Sequence, residues 1–199
     1  MIRQRSEGKT GVKGTWLIDW ARMVNKQIKN DPSKKAEYDK YLTADDWKEL
    51  KALLIPSNVY PYDFFRRLGR AVFHVVANVD LNATQAFGRI LMKNLLEVYK
   101  NLLQANDPIG SAKKLVAYHS ICFVNVESKT KVSAEGKNFI TILLILTEED
   151  KNFAEAATAF AYQLGGSFEE LVAQAGAKNA KLQISKIPDN NYEYSLNWE

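Results

Sequence analysis

The nine residues Asn138–Leu146, NFITILLIL, decide how this chain is read. They are apolar at both alternating positions and rich in β-branched side chains, the composition of a central strand covered on both sides. They run directly into Thr147-Glu148-Glu149-Asp150, a helix-opening turn with its acids placed for the helix dipole. Outward from this strand the period changes. Upstream, Ile121–Val126 and Lys129–Ala134 alternate every second residue across a Glu127-Ser128 turn. Downstream come a helix carrying Phe153, Ala157, Phe160, Ala161 and Leu164, an interruption at Gly165-Gly166, and a restart at Ser167-Phe168-Glu169-Glu170. Two strands close the chain, one carrying Ala180, Leu182 and Ile184, the other Tyr192, Tyr194, Leu196 and Trp198. Pro188-Asp189-Asn190 is the turn between them.

The half before Ser120 repeats every 3.6 residues instead. A short strand at Val12–Trp16 leads into a helix to about Lys29. Thr43 caps a helix through Trp47, Leu50 and Leu54, and another opens at Val59–Asp63 with Pro61 near its first turn. On that helix Arg66, Arg70 and His74 run at i, i+4, i+8 with Arg67 alongside, either as a partner-binding surface or as a solvated stripe with Asp63 pairing Arg67. Asn82–Leu103 is the longest periodic segment, with Phe87, Leu91, Leu95, Val98 and Leu102 on one face. Asn106-Asp107-Pro108 opens the last helix of this half, which ends near His119. The fold class is α+β, with a helical N-terminal half packed on a C-terminal antiparallel sheet of about four to five strands. Residues 1–11 form a mobile basic tail and 12–199 a single domain, helical over 12–119 and sheet over 120–199.

Composition limits the function classes. Hydrophobic residues make up 46% of 199, enough for a core. The net charge is +4, divided between a basic front (ten Lys/Arg against five Asp/Glu in residues 1–40) and an acidic end (four against nine in 147–199). One cysteine, Cys122, excludes an intrachain disulfide. No apolar run is long enough for a membrane span and the first residues lack a signal-peptide core, so the expectation is a cytoplasmic protein.

Chemistry finds little to work with. The only histidines are His74 and His119. Cys122 lies three residues from His119, but on a strand that spacing puts them on opposite faces. Zinc-ligand spacings and a phosphate loop are missing, so no catalytic residue and no metal ligand are assigned, and the chain is not read as an enzyme. The basic residues are dispersed without a recognition signature, so no nucleic-acid partner is expected.

The order of motifs carries a resemblance. An early Val12-Lys13-Gly14-Thr15 strand and helix precede the Tyr60–Leu68 helix, YPYDFFRRL, and the Asn106-Asp107-Pro108 turn. After the sheet begins come Gly165-Gly166-Ser167-Phe168-Glu169-Glu170-Leu171, the Ala175-Gly176-Ala177-Lys178 stop and a terminal Tyr192–Trp198 strand. Over roughly residues 11–198 this resembles an uncharacterised bacterial family with a fold similar to the haem-NO/oxygen-binding (H-NOX) domain and to the vinyl-reductase-like ligand domain. The resemblance implies an α+β domain whose C-terminal antiparallel sheet is crossed by a helix, and a sensing or regulatory role. H-NOX domains use a proximal histidine in the helix before the sheet and a Tyr-x-Ser-x-Arg motif for the haem propionates. Here Thr147-Glu148-Glu149-Asp150-Lys151 stands in place of that motif and Ile109-Gly110-Ser111 near the expected ligand stretch, with His119 about two turns later.

These readings give a non-enzymatic regulatory domain that binds a small apolar molecule or a partner protein, with no cofactor and with haem set aside. The ligand would lie between the long helix and the sheet, lined by Phe87, Leu91, Leu95, Tyr118 and His119. The first alternative is an interaction or homodimerisation module using Arg66, Arg67, Arg70 and the basic N-terminus, or the edge of the last strand. The second is a haem-based gas sensor.

Overall fold

The computed structural model describes residues 10–151 and 153–199. The expected tail, residues 1–11, lies outside the described residues except for Thr10 and Gly11. In chain order the elements are β1 (Gly11–Lys13), α1 (Ile18–Asn30), α2 (Lys35–Tyr38), α3 (Ala44–Lys51), β2 (Val59–Pro61) and α4 (Tyr62–Val75). There follow α5 (Leu81–Val98), α6 (Pro108–Cys122), β3 (Phe123–Val124), β4 (Lys129–Gly136), β5 (Phe139–Ile145), α7 (Glu148–Lys151), α8 (Ala154–Gln174), β6 (Lys181–Lys186) and β7 (Tyr192–Asn197). This is a mixed α+β fold with two antiparallel sheets, β2-β1-β3 and β4-β5-β7-β6. The described residues divide into two compact units, one of 10–78 with 121–126 and one of 79–120 with 127–151 and 153–199.

In the first unit, Thr43 and Asp46 form a capping box that starts α3. The α4 helix then buries large side chains, among them Phe64, Phe65, Leu68, Val72 and Phe73. Aromatic rings fill the space between α4, α1 and β3. Trp20 stacks on Phe65 at 5.1 Å, and Phe123 meets Phe65 edge-on at 5.4 Å and Trp16 at 5.6 Å. Two differences from the sequence reading appear here. Val59–Pro61 is a strand paired with β1, not the opening of a helix. Ile121 and Cys122 finish α6, and only Phe123–Val124 is extended, paired with β1 and not with the C-terminal sheet. His119 and Cys122 therefore lie three residues apart on a helix, where that spacing shares a face.

The second unit is layered. Its four-stranded sheet buries Ile140, Ile142 and Leu144 of β5 beside Leu196, Tyr194 and Tyr192 of β7, in register. The α8 helix covers that face: Phe168 packs on Tyr194 at 5.8 Å, and the Tyr194 hydroxyl donates to the Ala161 carbonyl at 2.9 Å. The expectation that β5 is covered on both sides is corrected. Leu143 and Ile145 are only half-buried and Phe139 is 39% exposed, so one face alone is fully closed.

Gly165-Gly166 does not break a helix. It lies inside the continuous α8, where the absence of a side chain lets neighbours approach. A Cβ on Gly166 would stand 2.0 Å from the Gln85 carbonyl oxygen, and one on Gly88 of α5 would stand 1.9 Å from that of Gln163. The Ser167 hydroxyl donates to the Gly88 carbonyl at 3.0 Å and closes the crossing. The long apolar helix therefore packs on α8, not on the sheet.

Candidate functional site

Both histidines lie on helices, and only one is enclosed. His119 belongs to α6. The Asp107 carboxylate accepts the Gly110 N–H at 2.8 Å, and Pro108 occupies the first helical position, where its missing N–H costs nothing. From this start, Ser111, Ala112, Leu115 and His119 recur at helical spacing, and all are fully buried. His119 thus sits on the inner face for the same reason as Leu115. Its ring stacks on Phe160 of α8 with centroids 6.1 Å apart and planes 28° from parallel. Burial pushes its pKa down to about 3, so the imidazole is neutral at pH 7 and its ring nitrogen lone pair is not lost to a proton. Two contacts hold α6 to β4: Lys113 to Glu135 at 2.7 Å, and the Thr130 hydroxyl donating to the Val116 carbonyl at 3.5 Å.

The other expected ligand residues are placed differently. Tyr118 is half-buried, with its ring 5.3 Å from that of Tyr99. Phe87, Leu91 and Leu95 are half-buried on the flank of α5, because the helix turns Thr84, Gly88 and Met92 into its buried face. The helix-facing-sheet arrangement behind the expected pocket is therefore not the one formed. Phe160, the ring that His119 meets, already stood out in the sequence as an inward residue of its helix. The expected helix across the sheet is α8; the misplaced element was α5, which packs on α8.

The arginines of α4 are engaged within their own unit. Arg66 is 5% exposed, lies 4.2 Å over the Tyr62 ring and donates to Asp63 at 2.8 Å. Arg67 grips Asp46 with two bonds of 2.7 and 2.8 Å, so Asp63 pairs with Arg66 instead of the expected Arg67. Burial pushes the Asp46 carboxyl up, but the Arg67 bonds and the Thr43 cap outweigh it and hold its pKa below the ordinary value. Arg70 is exposed, over the Tyr41 ring at 5.6 Å, and Tyr41 stacks on His74 at 4.8 Å.

Among the described residues no group of three or more His, Cys, Asp or Glu side chains is placed to hold a metal ion, and no helix is long and apolar enough to cross a membrane. A porphyrin needs only one axial donor from the protein, and a neutral buried imidazole has the right chemistry for it. The turn at 147–150 has a different character. Asp150 and Thr147 bond each other's backbone N–H groups at 3.0 Å in a capping box that starts α7.

No family model matches the sequence, and no curated protein matches it. Solved structures do. An Fe(II) unliganded H-NOX protein from K. algicida superposes with a TM-score of 0.66 at 13% identity, covering 94% of this chain and 96% of that one. A point mutant of T. Tengcongensis H-NOX gives 0.59 at 12% identity, covering 94% and 97%. A structure probing heme distortion in the H-NOX family gives 0.63 at 13%, covering 94% and 95%. The fold is therefore that of H-NOX domains over nearly the whole chain. This overturns the expectation of a chain without a cofactor and with haem set aside: neighbours of this fold hold iron and haem, so an altered propionate motif is not sufficient ground to exclude it.

Proposed function

We propose that this chain is a ligand-binding sensor domain with haem as its cofactor, His119 being the residue that would hold the iron. The observation that carries the reading is the enclosed, neutral imidazole of His119 on the last helix before the four-stranded sheet. Haem, when bound, supplies an open coordination position for a small ligand such as a diatomic gas.

The chain's own residues supply position and proton control. Desolvation keeps a proton off His119 at any pH above its depressed pKa, so binding needs no deprotonation step. Phe160 restricts the ring by packing along it. The links from α6 to β4 make the sheet edge the element that feels a displacement of His119 along its helix. The role is binding and response, not turnover.

Haem titration into the purified full chain tests this. The expected result is uptake of one equivalent with the Soret band of imidazole-ligated iron, and loss of that spectrum in His119→Ala. A chain that leaves the haem spectrum unchanged, or a His119→Ala variant with the wild-type spectrum, would contradict it.

A further inference from the structure

The α5 helix has two opposite faces of unlike character. Thr84, Gly88 and Met92 are buried, while Ile90 is 54% and Val98 73% exposed. Ile90, Asn94 and Val98 are spaced by four and form one stripe, with Lys93 and Glu97 exposed beside it. Two open aliphatic side chains thus stand a turn to either side of an exposed amide.

We propose that this stripe is a dimer contact, occupied by α5 of a second copy of the chain running antiparallel across a two-fold axis near Asn94. The stripe is complementary to itself in that direction. Reversal about Asn94 sets Ile90 beside the partner copy's Val98, and Val98 beside its Ile90. It brings Lys93 toward the other copy's Glu97, so each pairing occurs twice, as a two-fold contact requires. At the axis Asn94 meets its own copy, and an amide carries both the donor and the acceptor that such a pairing needs. A single polar residue in an apolar seam also fixes its register. Parallel pairing would place the Lys93–Glu97 flanks of the two copies on opposite sides of the seam, where they could not pair. A foreign partner of one net charge would meet both signs on this stripe and satisfy only one of them. Lys93 also lies 3.6 Å from Glu170, at the rim of the α8 crossing and 59% exposed, a loose pair that leaves it within reach of a second carboxylate.

One helix face is narrow. At about 27 Å for 18 residues it covers less than a standard interface, so the dimer is weak and forms with rising concentration. The inference does not depend on the cofactor, because α5 presents this face whether or not His119 holds iron.

Sedimentation velocity over a concentration series, on the full chain without added haem, tests it. Wild type is expected to move from monomer to dimer. Val98→Asp should raise the Kd by about tenfold or more, while its far-UV spectrum stays that of wild type. Glu97→Lys should weaken the dimer, and the charge-swapped double variant Lys93→Glu, Glu97→Lys should restore it. A wild type that stays monomeric throughout overturns the proposal. So does a dimer indifferent to Val98→Asp, or a charge-swapped variant no tighter than Glu97→Lys alone.

Discussion

Two helices of similar amphipathic pattern, α4 and α5, are used in opposite ways. The α4 helix buries what its apolar stripe advertises, with Phe64, Leu68, Ala71, Val72 and Val75 in the core of the first unit. The α5 helix, read from the same kind of stripe, buries Thr84, Gly88 and Met92 and leaves Phe87, Leu91 and Leu95 on its flank. Large side chains drive the first contact by area removed from water. Backbone proximity drives the second, where Gly88 and Gly166 let two helices approach until carbonyl oxygens occupy the space of a Cβ. Hydrophobic periodicity detects only the first kind.

The sharpest way to break this contrast is Gly88→Val. Its new atoms would meet the Gln163 backbone, which no rotamer change can move, so the helices must separate, at a cost of roughly 3 kcal/mol or more in chemical denaturation. A change well below 1 kcal/mol would mean the crossing is looser than described. Leu68→Ala tests the other kind of packing. With Leu68 fully buried it should cost about 3 kcal/mol, and less than 1 kcal/mol would show that the α4 core collapses around the gap.

Acid unfolding separates the two units further. The folded pKa of His119, about 3, lies below the unfolded value of 6.5. The unfolded chain therefore binds the proton first, and stability is lost as pH falls from 6.5 toward 3, with a slope on the order of 1 kcal/mol per pH unit. His119→Leu should flatten that stretch of the stability–pH curve. The depressed Asp46 carboxyl in the first unit acts later, its contribution being present above 3.8 and lost as pH falls further. Asp46→Asn at neutral pH removes one partner of a largely buried pair, and with Arg67 a third exposed it should cost about 2 kcal/mol. Double-mutant analysis with Arg67→Ala checks whether the loss belongs to that pair. The smallest effect belongs to Val98→Asp, which should shift the stability of the dilute monomer by no more than about 0.5 kcal/mol. A larger loss would mean that this side of α5 is packed within the unit.

Much of the fold was legible because it rests on alternation and caps. The inward faces of Ile140, Ile142 and Leu144 and of Tyr192, Tyr194 and Leu196 follow from period-two patterning, and the starts of α3 and α6 from Thr43 and Asp107. The errors share a cause. Glycine pairs punctuate chains more often than they line a helix crossing, so Gly165-Gly166 read as a break. Three-residue strands such as β2, and the two residues of β3, are too short to show a period, and the sheet they form with β1 was invisible. At the site, His119 was identifiable as one of two histidines, whereas its neutral state and its contact with Phe160 come from tertiary burial. Haem was set aside on the altered turn at 147–151 and on Ile109-Gly110-Ser111 near the expected ligand stretch, and solved structures of this fold that hold iron and haem overturn that expectation.

The central claim, that His119 is the residue through which this fold takes up its cofactor, is tested most directly by His119→Gly with imidazole added back. The account predicts that the variant loses the ligated haem spectrum and that imidazole in solution restores it by filling the space the side chain left. Wild-type haem uptake by the variant without imidazole, or no spectrum in the wild type itself, would contradict it.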